Sequence, residues 1–381
     1  MRITRVDVIS RPMAASWLTD AVIATPLSGY AAYREQRSSW FGRMVAAVVR
    51  IETDAGLTGL GYIGGGKAAA ATIVEDHYAA LLSGADPFDT ARLWDVLFRA
   101  AQMHGRRGAA MAALSGCDIA LWDLVGQATG QPVYRLLGGA TKPEGIPTYP
   151  TGNDVARYAA LGYRAVKLAM PYGPASGTEG MRANETLVRQ ARETLGPDAA
   201  LRLDCYMSWD VPYTVRMARL LADYTIDWIE EPVLPDDLDG YRRIRDVLTG
   251  LGIMVTGGEH CYTRHEFRAL LEAGAVDLLQ PDIYRAGGIS ELRHIASLAS
   301  AYHLALIPHG IGAPTYHFVM ATPNCPAAEF VDVFAGGGAL LLAGEPQPQD
   351  GLIYLSPTTP GFGYHLNHEL LATEQGPVPI W

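Results

Sequence analysis

Cysteine is scarce in this chain of 381 residues. The four present (Cys117, Cys205, Cys261 and Cys325) show no CxxC pair and no paired spacing. That usage fits free thiols in a reducing compartment and gives no disulfide framework. Charge is also scarce: 18% of residues are Asp, Glu, Lys or Arg, and the formal net charge is −10. With no basic excess, nucleic acid is excluded as the main partner, because neutralising phosphates requires a cationic face. A small acidic ligand is not excluded, since a few local cations can meet its charge. Apolar residues make up 49% of the chain, yet no unbroken run approaches the roughly 18 residues of a membrane span. The first residues, MRITRVDVISRP, alternate like a strand and lack the apolar core of a signal peptide. The expectation is a soluble, cytoplasmic globular protein with no membrane partner and no low-complexity segment.

Residues 1–63 read as β-rich. ITRVDVI and MVAAVVRIET are followed by the turn DAG and by LTGLGYI, and Gly56 between alternating segments signals a hairpin. From about Ala68 the pattern turns helical. It ends in ALSGCDIALWDLVGQATG, where Gly130 suits a C-cap and Pro132 blocks continuation. Beyond QPVYRLLGG the rhythm alternates strand and helix: AVKLAM, LRLDCY, DWIEEP, IMVTGGEH, VDLLQPD and LALIPHG, separated by Ala/Leu/Arg-rich helical stretches. Repeated β/α units imply a parallel sheet, and enough of them imply a closed barrel. The expected division is residues 1–130 as an α+β cap, 131–343 as the barrel, and 344–381 as a Pro/Gly-rich tail folding back on the cap.

Acidic residues recur just after these strands: Asp204 in LRLDCY, Glu230 in DWIEEP, Glu259 in VTGGEH and Asp282 in LLQPDIY. His309 in LIPHG and Glu329 in AAEFV continue the series. The steps match the roughly 25–30 residues of one β/α unit, so each should sit at the end of the next strand, and strand C-termini converge on one mouth. Taken singly, each acid is more often a strand-end or cap carboxylate. Taken together they supply three oxygen ligands (Asp204, Glu230, Glu259) for a hard cation. An isolated His before Gly is more often packed or solvated, but Asp282 one unit earlier can fix its tautomer and raise its basicity. By strand alternation Glu231 should point away from Glu230, while Tyr206 should share the face of Asp204, lining a pocket or filling the core.

These residues resemble the enolase superfamily, and within it the mandelate racemase subgroup, over nearly the whole length. The likeness rests on ALSGCDIALWDLVGQATGQPVYRLLGG, the Asp/Glu/Glu series, the Asp282–His309 pair, Glu329 and PGFGYHLN. The chain is most similar to the L-rhamnonate dehydratases, through IATPLSGYAAYREQR, PYGPASGTEGMRAN, LDCYMSWD and GGEHCYTRHEFRALLEAGAVDLLQPDIYRAGG. The resemblance implies an α/β fold, a modified (β/α)7β TIM-like barrel with an α+β N-terminal capping domain. It implies a homo-oligomeric, Mg²⁺-dependent hydro-lyase that removes water from a small sugar acid to give a 2-keto-3-deoxy acid. Asp204, Glu230 and Glu259 would hold the metal, and His309 oriented by Asp282 would be the base. Glu329, if protonated, would donate a hydrogen bond to the substrate carboxylate. Lys167 would neutralise that carboxylate or pair with a neighbouring one. His260 would contact substrate or support Glu259, Arg37 would reach over the mouth, and segment 16–40 would form the specificity loop.

Two departures qualify this. Racemases of the subgroup carry Lys–x–Lys on the second barrel strand, and here the second position is Ala169. The opposite-face base is then missing, which disfavours a racemase or epimerase. L-rhamnonate dehydratases carry a Tyr-His pair upstream of the lid motif, whereas this chain has no His before His77. A related or shorter acid sugar such as a pentonate therefore stays open, as does a catalytically silent relative. Two decoys are set aside. Gly61 to Lys67 spells GxxxxGK, but Ala68 follows instead of Ser or Thr, after a hairpin strand. A zinc site from Cys205, Cys261 and His260 fails because Cys205, next to Asp204, should face the other way.

Overall fold

Alternating residues carry the start of the chain into an antiparallel meander. The computed structural model describes residues 1–14, 23–34, 45–64, 67–103, 105–331, 341–372 and 378–379. Strand β1 (Ile3–Ala14) pairs with β2 (Val45–Thr53), and β2 pairs with β3 (Thr58–Tyr62) through the expected turn, where Gly56 has φ of 76°. One face of this sheet packs on the 21-residue helix Ala109–Thr129. The approach is close: a Cβ at Gly61 would lie 2.1 Å from the Gly116 carbonyl oxygen, so β3 needs glycine there. The helix ends at Gly130 in the left-handed conformation, with its amide bonded to the Gln127 carbonyl, as read from the sequence. It is long and apolar enough to cross a membrane by composition, although Asp118 and Asp123 interrupt the apolar run, and it lies buried inside the protein.

The second part is built from eight short parallel strands and seven intervening helices. The strands are β4 (Ile146–Pro150), β5 (Ala165–Ala169), β6 (Ala200–Asp204), β7 (Ile226–Glu230), β8 (Met254–Gly257), β9 (Leu278–Leu279), β10 (Ala305–Leu306) and β11 (Ala328–Phe330). Parallel ladders run from β5 through β10, and β11 pairs with β4. Bridges between Thr151 and Lys167 and between Asp282 and His309 extend the β4–β5 and β9–β10 contacts. This is the (β/α)7β barrel. The sequence did not reveal its first strand, IPTYP, because two prolines disguise it. Pro147 lies opposite Leu352 of a tail strand, Leu352–Ile353, that runs antiparallel beside β4, and Pro150 is the last residue of the strand, opposite Phe330 of β11.

Inside the barrel, Tyr149, Trp228, Leu278 and Ile307 form a small apolar layer. The Arg202 guanidinium lies over the Tyr149 and Trp228 rings at 4.4 and 4.0 Å, which closes the lower end of the interior. Two residues further along β6 and β7, alternation turns Asp204 and Glu230 inward at the C-terminal end.

The tail bonds to both parts. Its Leu352–Ile353 strand pairs with β4, while Tyr364 Oη donates to the Leu60 carbonyl of β3 at 2.7 Å. Asp123 is the shared anchor: its carboxylate accepts from the Leu60 amide (3.1 Å), the Phe362 amide (3.0 Å) and Gln127 Nε2 (2.9 Å). Asp123→Ala strands two buried amides, each costing about 1–3 kcal/mol. The variant should lose about 2–5 kcal/mol in urea unfolding; a loss below about 0.5 kcal/mol would mean that the anchor is dispensable.

Candidate active site

Asp204 and Glu230 are the last residues of β6 and β7, and Glu259 follows β8 by two, where the chain turns sharply out of each strand. Tyr206 and Met207 follow Asp204 with φ of 45° and 58°, Glu231 follows Glu230 with φ of 38°, and Gly258 before Glu259 has φ of 124°. Non-glycine residues in this region cost about 1–3 kcal/mol each and persist only where surrounding contacts enforce them. Here the Tyr206 amide donates to Asp204 Oδ1 at 2.9 Å, and the Met207 amide donates to the Glu231 carbonyl.

The floor of the mouth is a buried ion cluster. Lys167 Nζ lies 2.8 Å from Glu230 Oε1 and 2.9 Å from Glu329 Oε1, with all three side chains 1% exposed. Glu230 Oε2 accepts from Gln280 Nε2 at 2.7 Å. Glu329 also accepts from Thr151 Oγ1 and, through Oε2, from the Gly310 amide at 3.0 Å. Lys167 thus pairs with two neighbouring carboxylates. Burial raises the Glu329 pKa, but Lys167 and His309 outweigh it and hold the group at about 2. Both its oxygens act as acceptors, so as arranged it is a carboxylate and not the hydrogen-bond donor expected from the sequence.

His309 stands higher, its side chain 24% exposed. Its Nδ1 lies 3.0 Å from Asp282 Oδ2, and its Nε2 faces the mouth 3.5 Å from Glu259 Oε1. Burial lowers its pKa, but Glu259, Asp282 and Glu329 outweigh it and raise it to about 10. Burial likewise pushes Asp204 up to about 6 and Glu230 up to about 8, against the pull of Lys167. For Glu259 burial is outweighed by His309, His260 and Arg285, which hold it well below the usual range.

Sequence reasoning missed two members of this cluster. Glu231 does not point away from the mouth, because its left-handed backbone ends the strand alternation. Its carboxylate lies 2.6 Å from His260 Nδ1. Arg285, three residues after Asp282, lies 2.9 Å from Glu259 Oε1, 3.0 Å from Asp282 Oδ2 and 3.2 Å from His260 Nε2. A lone cation one turn after the dyad acid was the available signal. Burial lowers the His260 pKa and Glu231 and Glu259 raise it. Arg285 carries no acceptor, so in this arrangement it requires His260 Nε2 to be unprotonated. Tyr206 packs its ring edge-on to His260 at 5.3 Å. Arg37 lies outside the described residues. Arg34, nearby in sequence, lines a cavity of about 310 Å³ together with Ser28, Tyr172, Trp209 and Asp210.

Above Ala169 the wall is apolar. Ile23 from the N-terminal segment packs with Ala169, Tyr206 and Met207, and the Ala24 amide bonds to the Met170 carbonyl at 2.9 Å. Asn153 clamps the Ala169 backbone through both its amide and its carbonyl.

The charges do not balance. Asp204, Glu230, Glu231, Glu259, Asp282 and Glu329 are all buried, and the permanent cations bonded to them are Lys167 and Arg285. Such a surplus suits a divalent cation. Glu231, Glu259 and His260 bring ligand atoms within 4.8 Å of one another, but Glu231 and His260 already bond to each other. Asp204, Glu230 and Glu259, the set expected from the sequence, are all buried here, but among the described residues they do not form a group with ligand atoms within that distance. Their chemistry, all oxygen, is what a hard cation prefers. Cys205 and Cys261 are buried free thiols, and no thiol joins a metal-holding group among the described residues.

The sequence profile for the Mandelate racemase / muconate lactonizing enzyme N-terminal domain matches residues 41–138, and that for the Enolase C-terminal domain-like family matches residues 152–370. The chain belongs to the mandelate racemase/muconate lactonizing enzyme family. It is 40% identical over 364 residues to L-rhamnonate dehydratase of Saccharopolyspora erythraea, a match covering 93% of this chain and 91% of that one. The crystal structure of rhamnonate dehydratase from Gibberella zeae complexed with Mg superposes with a TM-score of 0.89 at 35% identity, covering 97% and 95% of the two chains. A racemase from Streptomyces coelicolor A3(2) with bound magnesium gives 0.82 at 31% identity, covering 97% and 98%.

Lys167 is the keystone of this family member's floor. Lys167→Met leaves two buried carboxylates without their cation, a loss of about 3–5 kcal/mol. Denaturant unfolding without added divalent cation should show that loss; unchanged stability would show that Glu230 and Glu329 shed their charge without penalty.

Proposed function

We propose that this chain is a Mg²⁺-dependent acid-sugar dehydratase acting on L-rhamnonate or a closely related aldonate. In this reading residues 1–130 cap the site, 131–343 carry the chemistry, and 344–381 tie the two together. Asp204, Glu230 and Glu259 would hold Mg²⁺, whose charge stabilises the substrate carboxylate as it gains electron density.

The observation that carries the reading is the asymmetry of the mouth. On one side His309 presents Nε2 to the cleft, with Nδ1 against Asp282. On the other side, where a second base would stand, Ala169 lies under Ile23, Tyr206 and Met207, which offer no amine or imidazole. Such a site suits a syn elimination. His309 Nε2 takes the C2 proton, and the C–H electron pair moves toward the carboxylate as an enediolate. That pair then returns to form the C2–C3 double bond, and the C3–OH bond breaks. The imidazolium gives its proton to the departing hydroxide, so water leaves and the histidine is restored. The enol ketonises to a 2-keto-3-deoxy acid. Glu259 is the foremost of the carboxylates that favour the imidazolium, so a cation drawing on Glu259 would weaken that preference. Asp282 would then hold the neutral ring with its proton on Nδ1 and Nε2 free. Lys167 and Glu329 hold the floor, and Glu329 orients the Gly310 amide next to the base. The relatives named L-rhamnonate dehydratase support this substrate class.

The similarity to a racemase favours a second reading, reversible inversion at C2, which needs proton access from both faces. Both are tested by incubating the protein with Mg²⁺ and each C2 epimer of a set of acid sugars in D₂O. The expected outcome is 2-keto acid from one epimer only, no interconversion, and no turnover in EDTA until Mg²⁺ is restored. Deuterium entering both epimers without loss of water would select the racemase, and full turnover in EDTA would remove the metal from the scheme.

His309→Asn should lower kcat by several powers of ten, because one ring provides two proton transfers worth roughly 10²–10⁴ each. Activity within about tenfold of wild type would move the base elsewhere.

A further inference from the structure

We propose that Arg285 is a positioning residue that sets the base of the reaction against the ligand carboxylate Glu259. The inference rests on the dehydratase reading for its kinetic arm. Residues 282–286 form a single turn, in which the Arg285 and Ala286 amides bond to the Asp282 carbonyl at 3.1 and 2.8 Å. That turn folds the arginine back over the acid it follows. Its guanidinium then reaches three partners at once: Nε is 3.0 Å from Asp282 Oδ2, and Nη1 is 2.9 Å from Glu259 Oε1 and 3.2 Å from His260 Nε2. The Asp282 oxygen that Arg285 meets is the one that meets His309 Nδ1, while the other oxygen accepts the Tyr284 amide at 2.7 Å. The Glu259 oxygen that it meets is the one that faces His309 Nε2.

Arg285 therefore touches both groups that flank the imidazole, one at each ring nitrogen. Asp282 and Glu259 are like charges on neighbouring strand ends, and without a cation between them they repel. The guanidinium donates a hydrogen bond to Glu259 through Nη1 and lies in ionic contact with Asp282 through Nε, so one rigid plane of charge offsets the repulsion between them. His260, held from its other side by Glu231 at 2.6 Å, closes the outer rim of the same network. The dyad, Glu259 and the His260–Glu231 pair thus share one rigid link. A displacement of about 1 Å at a reacting group can cost about 10²-fold in rate, which is the scale on which this link matters.

Arg285→Met keeps the apolar stem and removes the fork; Arg285→Lys keeps the charge and removes the planarity. For the Met variant the expected result is a fall in kcat of about 10²-fold with substrate KM changed by less than about threefold. Its primary isotope effect with C2-deuterated substrate should be larger than wild type, because proton abstraction becomes slower than product release. The Lys variant should recover only part of kcat, since one ammonium cannot span Asp282 and Glu259. Crystal structures of both variants give a readout independent of substrate: in Met, the Asp282–His309 contact should open beyond hydrogen-bond range, about 3.5 Å. The proposal is overturned if the Met variant keeps kcat within about threefold, or if Lys restores it fully. It is also overturned if Asp282, Glu259 and His309 are unmoved in the Met crystal, or if lost activity merely follows lost folded protein in thermal unfolding. A wild-type protein inactive on every acid sugar would sink the dehydratase reading, while the crystal comparison would still decide the role of Arg285.

Discussion

Like charges gathered in a water-poor mouth are the constraint around which the catalytic end is organised. Six carboxylates end up buried there because strand after strand delivers an acid to the same rim, and each repels the others through a medium that screens poorly. The barrel answers with Lys167 driven up from below between Glu230 and Glu329, and with Arg285 laid across Glu259 and Asp282 from above. Two cations leave a surplus of negative charge in the centre, where Asp204 and Glu230 are held toward their neutral forms. The same surplus that burdens the fold is what makes the site attractive to a divalent ion, so stability and ligand binding are two expressions of one imbalance.

The division of labour within the cluster follows depth. Lys167 is sealed under the floor, whereas the His309 ring is partly open to the cleft. A base must reach substrate, and a structural counterion need not. Across from His309 the cap supplies an apolar lining through Ile23, packed on Ala169. Chemistry on one face and packing on the other would turn a scaffold shared with a racemase toward elimination.

Much of this was legible in the sequence, for specific reasons. Acids recurring at the period of a β/α unit place themselves at one rim whatever the details of packing, so Asp204, Glu230, Glu259 and Asp282 needed only the fold class to be located. The hairpin at Gly56 and the helix stop at Gly130 are local signals that tertiary contacts had no cause to override. The misreadings came where local rules give way. IPTYP hides a strand behind two prolines. Glu231 defeats alternation because its backbone leaves the strand conformation. Glu329 reads as an acid from pattern alone, and only the fold brings Lys167 and His309 near enough to favour its charged form. Ile23 reaches the mouth by docking of the N-terminal segment onto β5, a contact that no sequence pattern announces.

The cap and barrel are laced together at several separate points. Trp94 Nε1 donates to the Gly287 carbonyl at 2.8 Å, Trp122 Nε1 donates to Ser290 Oγ at 2.9 Å, and Asp118 accepts from the Ser290 amide and hydroxyl. The tail adds Asp123 to Phe362 and Tyr364 to Leu60 on the far side. Swinging the cap as a rigid body would rupture all of these together and bare the apolar surface beneath them. Substrate traffic must therefore depend on short rim segments that can shift without unlacing the seam. The rate of entry and exit is then a property of local loop chemistry, separable by mutation from the stability of the joint.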